Sequence, residues 1–260
     1  MIRTSHIRRI ILEQSKRANV GHIGCALSVV EIIAAIFAVI KVEDPGDQER
    51  DRFVLSMGHA ALALYAVLHL RGVISRDQLD TFHGDDSLLG VHPEHELTGV
   101  DFSSGSLGHG LSIGAGAALA AKLQGSGRNV YVLMSDGECN EGSVWEAAMF
   151  AAHRKLGNLI AIIDQNAQQA FGYTRDVCAI PNMAERWRAF GWRVHEVDGH
   201  DVAVLIAALE LCTANTEFPH VIVAQTTFGK GVSFMESQIK WHYLPMTDDE
   251  FSQATREVAS

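Results

Sequence analysis

The second half of the chain alternates between short apolar runs and segments with the residue spacing of amphipathic helices. The apolar runs are rich in β-branched residues and have the length of buried strands. Because consecutive parallel strands must be joined by a crossover, this alternation predicts an α/β fold, a parallel sheet flanked by helices on both faces. The predicted strands cover residues 129–134, 159–163, 193–197 and 220–224, and the predicted helices between them cover 144–156, 182–190 and 202–211.

The first half of the chain is predicted to be mainly helical. Ser28 followed three residues later by Glu31 has the pattern of a capping box, which predicts a helix from Ser28 to Ile40. We expect a single domain over residues 1–260, with an N-terminal helical elaboration and a short acidic C-terminal tail from Thr247. The other predicted elements are helices at 4–18, 58–70, 75–82 and 107–123, a strand at 52–55 and a polar loop at 83–105.

Composition restricts the class of protein. With 260 residues, 47% of them hydrophobic, the chain can bury a large core, which excludes a disordered or fibrous protein. A formal net charge of −10 and the lack of a Lys/Arg run argue against nucleic acid or an anionic membrane as partner. The longest apolar run, Ile32 to Ile40, is shorter than the roughly 20 residues of a membrane span.

The N-terminus lacks the long apolar core of a secretory signal, so we expect a cytoplasmic protein. The four cysteines form no CxxC pair, and neither a structural zinc site nor a disulfide framework is expected from their spacing. They are Cys25, Cys139, Cys178 and Cys212.

Asp136 and Asn166 follow two consecutive predicted strands. Ligands of open parallel sheets bind at the carboxyl ends of the strands, and one strand-helix-strand unit returns Asn166 to the edge where Asp136 lies. A carboxylate and an amide oxygen are too few ligands to enclose Mg²⁺, but they suit a Mg²⁺ that also binds diphosphate and water. Gly137 lets the backbone approach a phosphate closely. A nucleotide site is less favoured, because neither GxxxxGK[ST] nor GxGxxG after a strand is found.

These residues resemble the thiamine diphosphate motif of the transketolase family. That motif usually reads Gly-Asp-Gly, with Asn-Asn one strand-helix-strand unit later; here residues 135–137 read Ser-Asp-Gly and 165–166 read Gln-Asn. Further segments resemble the N-terminal half of transketolase in the same order, so the resemblance extends over nearly the whole chain. They are Gly-His-Ile-Gly at 21–24, Ser-Met-Gly-His at 56–59, Gly-Val-His-Pro-Glu at 90–94, Ser-Gly-Ser-Leu-Gly at 104–108, Phe-Gly-Trp at 190–192, Asp-Gly-His-Asp at 198–201, and residues 226–236 followed by Trp-His at 241–242.

The resemblance implies a transketolase-like transferase that moves a two-carbon ketol unit from a ketose to an aldose. It implies that His22, His59, His92 and His242 line the substrate channel, where proton transfers to and from sugar hydroxyls need groups of near-neutral pKa. His59 and His242 would also approach the diphosphate, and His92 the first hydroxyl of the donor. Glu141 resembles the family carboxylate that faces its counterpart across the dimer interface.

The resemblance also implies how thiamine diphosphate and its metal are held. Asp136, Asn166 and the backbone carbonyl of Gln168 would bind Mg²⁺, which Ca²⁺ or Mn²⁺ could replace. Ala170 and Phe171 stand where the family usually has Asp-Gly, and would lie near the thiazolium ring. The implied cofactor-binding residues are His59, Gly105, Leu107, Gly137, Asn166, Ala170 and His242.

A full transketolase continues into a pyrimidine-binding domain and a third domain, for which this chain has no counterpart. The resemblance therefore implies the N-terminal subunit of a split transketolase, in an α2β2 assembly with a second subunit that carries those domains, acting on sugars or sugar phosphates. Three alternatives stay open. They are an alpha-type subunit of a 2-oxo-acid dehydrogenase, an enzyme of dihydroxyacetone or deoxyxylulose synthesis, and a degenerate, non-catalytic regulatory subunit.

Overall fold

A five-stranded parallel sheet forms the centre of the fold. In the computed structural model, which describes residues 2–42, 44 and 46–259, the strands of this sheet have the order β1-β2-β3-β7-β6. Two further short strands, β4 and β5, form a separate antiparallel hairpin. The strands are β1 (Arg52–Leu55), β2 (Val130–Ser135), β3 (Leu159–Gln165), β4 (Gln168–Gln169), β5 (Gly172–Tyr173), β6 (Arg193–Asp198) and β7 (His220–Gln225).

Helices cover both faces of the sheet, so the predicted α/β fold class is confirmed. The predicted strand ends differ from the observed ones by no more than two residues. None of the described helices is both long and apolar enough to cross a membrane. The helices are α1 (Thr4–Ala18), α2 (Ile23–Ser28), α3 (Val30–Val39), α4 (Ala61–Leu70), α5 (Arg76–Leu79), α6 (Gly110–Gln124), α7 (Gly142–His153), α8 (Thr174–Val177), α9 (Met183–Ala189), α10 (Val202–Ala214), α11 (Lys240–Tyr243) and α12 (Asp248–Val258).

The sheet separates two apolar cores. Alternate residues of a strand point to opposite faces, so Tyr131 and Leu133 of β2 enter the core shared with α1, α3, α4 and α10. Val132 and Met134 enter the core shared with α6, α7 and α9. Because β2, β3 and β7 are covered on both sides, their sequences are continuous apolar runs, which is why they were recognisable.

The predicted capping box at Ser28 is wrong. Ser28 ends α2, and α3 begins after Val29 with no side-chain cap. The Ser28 hydroxyl donates instead to the carboxylate of Asp164, 2.8 Å away, and Glu31 pairs with Arg8. Both side chains of the apparent local motif are therefore engaged in tertiary contacts.

The C-terminal segment is a helix rather than a tail. The Thr247 hydroxyl accepts a hydrogen bond from the Glu250 N–H (3.3 Å), and the Thr247 N–H donates to the Glu250 side chain (2.8 Å), which makes a capping box for α12. Ala254 and Val258 are buried in the core that contains α1. Three of the four acidic residues of this segment, Asp248, Asp249 and Glu250, lie in the first turn of the helix, where the helix dipole favours them.

Candidate active site

The carboxyl ends of β2 and β3 place Asp136 beside the turn formed by residues 166–168. The Asp136 carboxylate accepts hydrogen bonds from the Ala167 N–H (2.9 Å) and from the Thr174 hydroxyl (3.2 Å). The Asn166 side-chain oxygen accepts a hydrogen bond from the Gln168 N–H (2.9 Å). The three residues for which the sequence predicts metal binding, Asp136, Asn166 and Gln168, are thus neighbours in space.

A second carboxylate, Asp164, lies fully buried next to this turn. It accepts hydrogen bonds from Ser28, from the Thr226 hydroxyl and from the side-chain amide of Asn166 (2.7 Å). The last of these bonds fixes the orientation of the Asn166 amide. Burial, together with the charge of Asp164, raises the pKa of Asp136 to about 7. Asp164 was not among the predicted site residues, although an acidic residue inside an apolar strand has to be hydrogen-bonded to be tolerated.

The donor atoms around Asp136 fit a divalent cation bound to diphosphate. Within the described part of the chain, its hydrogen-bond donors are backbone N–H groups and one hydroxyl, and none is a lysine or arginine side chain. Among the residues that the structure describes, none donates a hydrogen bond to the buried side-chain oxygen of Gln168. Carboxylate, amide and carbonyl oxygens with no neutralising cation form the environment that Mg²⁺ prefers.

Gly137 begins a 3₁₀ turn, which Asp136 separates from the end of β2. Its N–H, which by resemblance would bind a phosphate, donates here to the Asp136 carboxylate (2.8 Å). A Cβ atom at this position would lie 2.9 Å from the Cβ of Gln169, so a side chain does not fit. The backbone of this turn therefore packs closely against the hairpin of β4 and β5.

Three histidines from distant segments form a cluster in the same region. His22 precedes α2, His59 lies in a 3₁₀ turn before α4, and His242 lies in α11. Their ring centroids are 5.0, 5.6 and 5.7 Å apart. The segment that carries His242 also contacts the metal-site turn, because the Gln168 side-chain amide donates to the Ser237 carbonyl (2.7 Å). The predicted histidines at 22, 59 and 242 are thus brought together beside the predicted metal ligands.

The clustered histidines are neutral at pH 7, but the near-neutral pKa that the sequence predicts for them is not found at His59 and His242. Burial, followed by the charges of the neighbouring histidines, lowers the pKa of His59 to about 3, and burial together with His22 lowers the pKa of His242 to about 4. Burial and the charge of His92 also lower the pKa of His22. Among the described residues, no group hydrogen-bonds to the buried Nδ1 atom of His22. A buried ring nitrogen without a partner carries a desolvation cost, which a hydrogen bond from a bound ligand would offset.

His92 lies beside this cluster, between Gly58 and Gly105. A Cβ atom on Gly58 would lie 3.1 Å from the His92 ring and 2.9 Å from the Ser104 hydroxyl. A Cβ atom on Gly105 would lie 3.5 Å from the His92 ring. The Tyr65 hydroxyl donates to the His92 carbonyl (3.1 Å). Small residues in two loops therefore allow the His92 ring to reach this position.

Glu138 connects the loops of the site and was not predicted from the sequence. It is fully buried, and its carboxylate accepts hydrogen bonds from the Ser56 hydroxyl and the Gly108 N–H (2.8 Å). Leu107 and Glu141, in the adjoining segments, are both exposed. These two predicted site residues therefore lie at the surface of the chain, next to the buried hydrogen bonds that Glu138 makes with Ser56 and Gly108.

Ala170 and Phe171 form the turn between β4 and β5. The Tyr243 hydroxyl donates to the Ala170 carbonyl, which links this turn to the segment of His242. The Phe171 side chain is 86% exposed. A cavity of about 290 Å³ opens between this hairpin and Asp136, with Thr174 and Arg175 in its wall.

Comparison with protein families agrees with this arrangement. The family model described as "Transketolase, thiamine diphosphate binding domain" matches residues 2–259. The chain is 42% identical over 255 residues to one of the subunits of apulose-4-phosphate transketolase from Phocaeicola vulgatus, a match that covers 97% of this chain and 91% of the relative. It is 39% identical over 256 residues to the 6-deoxy-6-sulfo-D-fructose transketolase subunit SqwG of a Clostridium species, a match that covers 97% of this chain and 93% of that protein.

Solved transketolase structures share the fold. The structure of transketolase from Campylobacter jejuni matches with a TM-score of 0.92 and 32% identity, over 98% of this chain and 42% of that one. The Leishmania mexicana enzyme matches with a TM-score of 0.89 and 29% identity, over 98% of this chain and 40% of that one. This chain therefore spans less than half the length of these enzymes. The comparisons support the predicted transketolase-like transferase over the 2-oxo-acid dehydrogenase and non-catalytic alternatives. The chain belongs to the transketolase family, in which it corresponds to the thiamine diphosphate-binding domain.

Proposed function

We propose that this chain is the N-terminal subunit of a two-chain transketolase that transfers a two-carbon ketol unit from a ketose to an aldose. The observation that carries this proposal is the cluster of three histidines beside the turn that contains Asp136 and Asn166. Ketol transfer needs both the turn and the histidines. The turn would hold the cofactor, and the histidines would move protons on the sugar hydroxyls.

A partner subunit completes the site in this proposal. Two relatives matched over more than nine tenths of their length are named as single subunits, whereas the solved transketolases are much longer chains. Phe171, Tyr243 and Leu244 leave large apolar side chains exposed next to the site, 86%, 55% and 50% respectively. Exposed apolar side chains grouped beside a site are typical of a docking surface. The partner would supply the pyrimidine-binding and C-terminal domains in an α2β2 heterotetramer, with Glu141 facing its counterpart.

Magnesium is the proposed metal, with Ca²⁺ or Mn²⁺ as possible replacements. Its protein ligands would be Asp136, Asn166 and the Gln168 carbonyl, which offer only oxygen atoms. When bound, thiamine diphosphate supplies the nucleophilic carbon and the electron sink for cleaving and forming the carbon–carbon bond. The proposed cofactor-binding residues of this chain are His59, Gly105, Leu107, Gly137, Asn166, Ala170 and His242.

The histidines of this chain would hold and move protons on the substrate. A neutral imidazole accepts a proton from a hydroxyl at one ring nitrogen and donates from the other. His22 offers its unpartnered Nδ1 atom as the acceptor. His92, at the side of the cluster, would contact the first hydroxyl of the donor. Partial burial of the cluster limits its contact with water, which strengthens each of these hydrogen bonds.

The donor is proposed to be a ketose with an anionic group at its far end. The two relatives are named for apulose 4-phosphate and for 6-deoxy-6-sulfo-D-fructose, which carry a phosphate and a sulfonate group. A sugar phosphate is therefore the first substrate class to test. A cytoplasmic location stays a prediction from the sequence.

Cys25 is expected to set the tautomer of His242. Its Sγ atom lies 3.2 Å from the His242 Nδ1 atom, and burial raises the pKa of the thiol far above its usual value, so the thiol is protonated. We propose that it donates to Nδ1. The ring proton then lies on Nε2. Cys25→Ala removes a hydrogen bond of about 0.5–1.5 kcal/mol, which corresponds to a loss of roughly 2- to 12-fold in the kcat of the complex with the partner.

Cys25→Ser is the matched variant, because a hydroxyl can still donate to Nδ1. It should keep more activity than Cys25→Ala, while Cys178→Ala, at an exposed cysteine, should be unchanged. Equal kcat values for the Ala and Ser variants would contradict the role of this hydrogen bond.

The proposed function is tested by calorimetric titration of thiamine diphosphate and Mg²⁺ into this chain, alone and mixed with the candidate partner. Tight binding and ketol transfer are expected only in the mixture, because the chain alone holds one half of the site. Lack of binding in the mixture would argue for a regulatory subunit. Light scattering of the mixture should give the mass of a heterotetramer, and a mixture that stays monomeric would contradict the α2β2 assembly.

A further inference from the structure

A second cluster of potential metal ligands lies away from the active site. His220 is the first residue of β7, His195 lies in β6, and Cys212 lies in α10. One ligand atom from each of the three lies within 4.8 Å of the other two. The active-site residues follow the carboxyl ends of the strands, whereas His220 lies at the amino end of its strand. The two clusters are therefore separate.

His220 is oriented as a metal-binding histidine is. The His220 Nε2–H donates to the Asn215 carbonyl (2.7 Å), so the His220 Nδ1 atom carries a lone pair. This lone pair accepts a hydrogen bond from the His195 Nε2–H, 3.0 Å away, and metal binding replaces that hydrogen bond once the His195 proton moves to its Nδ1 atom. Metal-binding histidines commonly donate their second ring N–H to a backbone carbonyl, which fixes the ring in this way. Burial lowers the pKa of both histidines, and neutral imidazole is the form that binds metal.

Cys212 supplies the third ligand atom. It is fully buried in α10, and among the described residues no hydrogen bond engages its thiol. Burial raises the pKa of this thiol to about 12, so the thiol is protonated until a metal binds. Binding of a cation would release that proton to solvent. The positive charge of Arg193, which lowers the pKa of His220, opposes a cation here, and the thiolate formed on binding offsets that charge.

We propose that His195, Cys212 and His220 bind a zinc ion, with water as the fourth ligand, and that this ion fastens α10 to the β6–β7 edge of the sheet. Two imidazole nitrogens and one thiolate form a ligand set that zinc accepts. Zn–N and Zn–S bonds of about 2.0–2.3 Å place the ligand atoms of a tetrahedral ion roughly 3.3–3.8 Å apart. The three ligand atoms lie within 4.8 Å of one another, a limit about 1 Å beyond the upper end of that range.

The three proposed zinc ligands are too far apart along the chain for the site to be recognised from the sequence. Zinc sites are recognised in sequences from paired cysteines or histidines a few residues apart, and here each ligand comes from a different element. A rival set, His22, Cys25 and His242, also has its ligand atoms within 4.8 Å, but it belongs to the active site described above. The experiment must therefore show which of the two cysteines, Cys212 or Cys25, binds the metal.

Cobalt is a suitable probe for the full-length chain after treatment with a chelator, because a Co²⁺–thiolate bond gives a charge-transfer absorption that oxygen ligands do not give. We expect one equivalent of Co²⁺ per chain to produce this absorption, and Zn²⁺ to abolish it by displacement. The absorption should be lost in Cys212→Ala and kept in Cys25→Ala and in the exposed-cysteine control Cys178→Ala.

His195→Gln decides the test if Cys212→Ala does not fold, because His195 is only partly buried. This variant should bind Co²⁺ and Zn²⁺ at least about tenfold more weakly than the wild type, and Zn²⁺ should raise its unfolding temperature less. The proposal is overturned if the wild type shows no thiolate absorption, if the absorption survives in Cys212→Ala, or if it is lost only in Cys25→Ala. It is also overturned if His195→Gln binds both ions as tightly as the wild type.

Discussion

Asp136→Ala is expected to lower ketol transfer by the chain and its partner by at least about 100-fold, because a metal ion stabilises charge by several kcal/mol. Asp136 is the only charged residue among the three proposed metal ligands. Asn166 and Gln168 offer neutral oxygens, which hold a divalent cation far more weakly than a carboxylate does. The variant should therefore lose affinity for Mg²⁺ and thiamine diphosphate together with activity.

The loss of affinity for Mg²⁺ and thiamine diphosphate should not result from unfolding of the Asp136 variants. Burial and the charge of Asp164 hold the pKa of Asp136 at about 7, above its usual value of 3.8, so the ionised carboxylate costs stability at pH 8 when no cation is bound. Asp136→Asn, without metal, is thus expected to be at least as stable as the wild type at pH 8 in thermal unfolding. Asp77→Ala, at an exposed aspartate of α5, is the control for activity. Wild-type activity and cofactor affinity in Asp136→Ala would show that the metal assignment is wrong.

The sheet could be predicted from sequence because its central strands are buried on both faces. Such strands appear in the sequence as uninterrupted apolar runs, and these runs can be recognised without knowing which helices pack against them. Their order along the chain then fixed the edge at which Asp136 and Asn166 meet. The short hairpin of β4 and β5 was not predicted, since two-residue strands leave no periodic pattern.

The buried polar residues could not be predicted. Three of them, Asp164, Glu138 and Cys25, have hydrogen-bond partners that are far away in sequence. The spacing of neighbouring residues along the chain does not reveal such partners. The clustered histidines were found only through the resemblance to a family. The error at Ser28 has the same origin, because a real tertiary contact produced a pattern that looks like a local cap.

The other residue of that false capping box, Glu31, forms a buried ion pair with Arg8. Both guanidinium Nη atoms of Arg8 donate to the Glu31 carboxylate (2.6 and 2.8 Å), and Arg8 Nε donates to the Lys230 carbonyl (3.0 Å). His200 accepts a hydrogen bond from the Thr227 N–H at its Nε2 atom, so its Nδ1–H donates to Glu31 (3.2 Å). These contacts join α1 and α3 to the loop that follows β7.

Arg8→Met is expected to lower the free energy of unfolding by about 3–5 kcal/mol, because it leaves the buried Glu31 carboxylate without its cation. Arg9→Met is the matched control on the same helix. Arg9 pairs with Glu13 in an exposed i,i+4 contact, so this variant should change stability by no more than about 0.5 kcal/mol. Both values are measured by denaturant unfolding at pH 7. The double variant Arg8→Met/Glu31→Met should be more stable than Arg8→Met, since no unpaired charge is left in the core.

The pH dependence distinguishes a lost ion pair from lost packing. Burial alone would raise the pKa of Glu31, but hydrogen bonds from His200 and Arg8 and the charge of Arg8 hold it below its usual value of 4.5. The pair therefore stabilises the wild type fully above pH 4.5, and this contribution is lost as the pH falls through the lowered pKa. In Arg8→Met the pKa of Glu31 rises, so the stability difference from the wild type should narrow as the solution is acidified. A difference that stays constant from pH 7 down to the acid transition would mean that Arg8 stabilises the fold by packing alone.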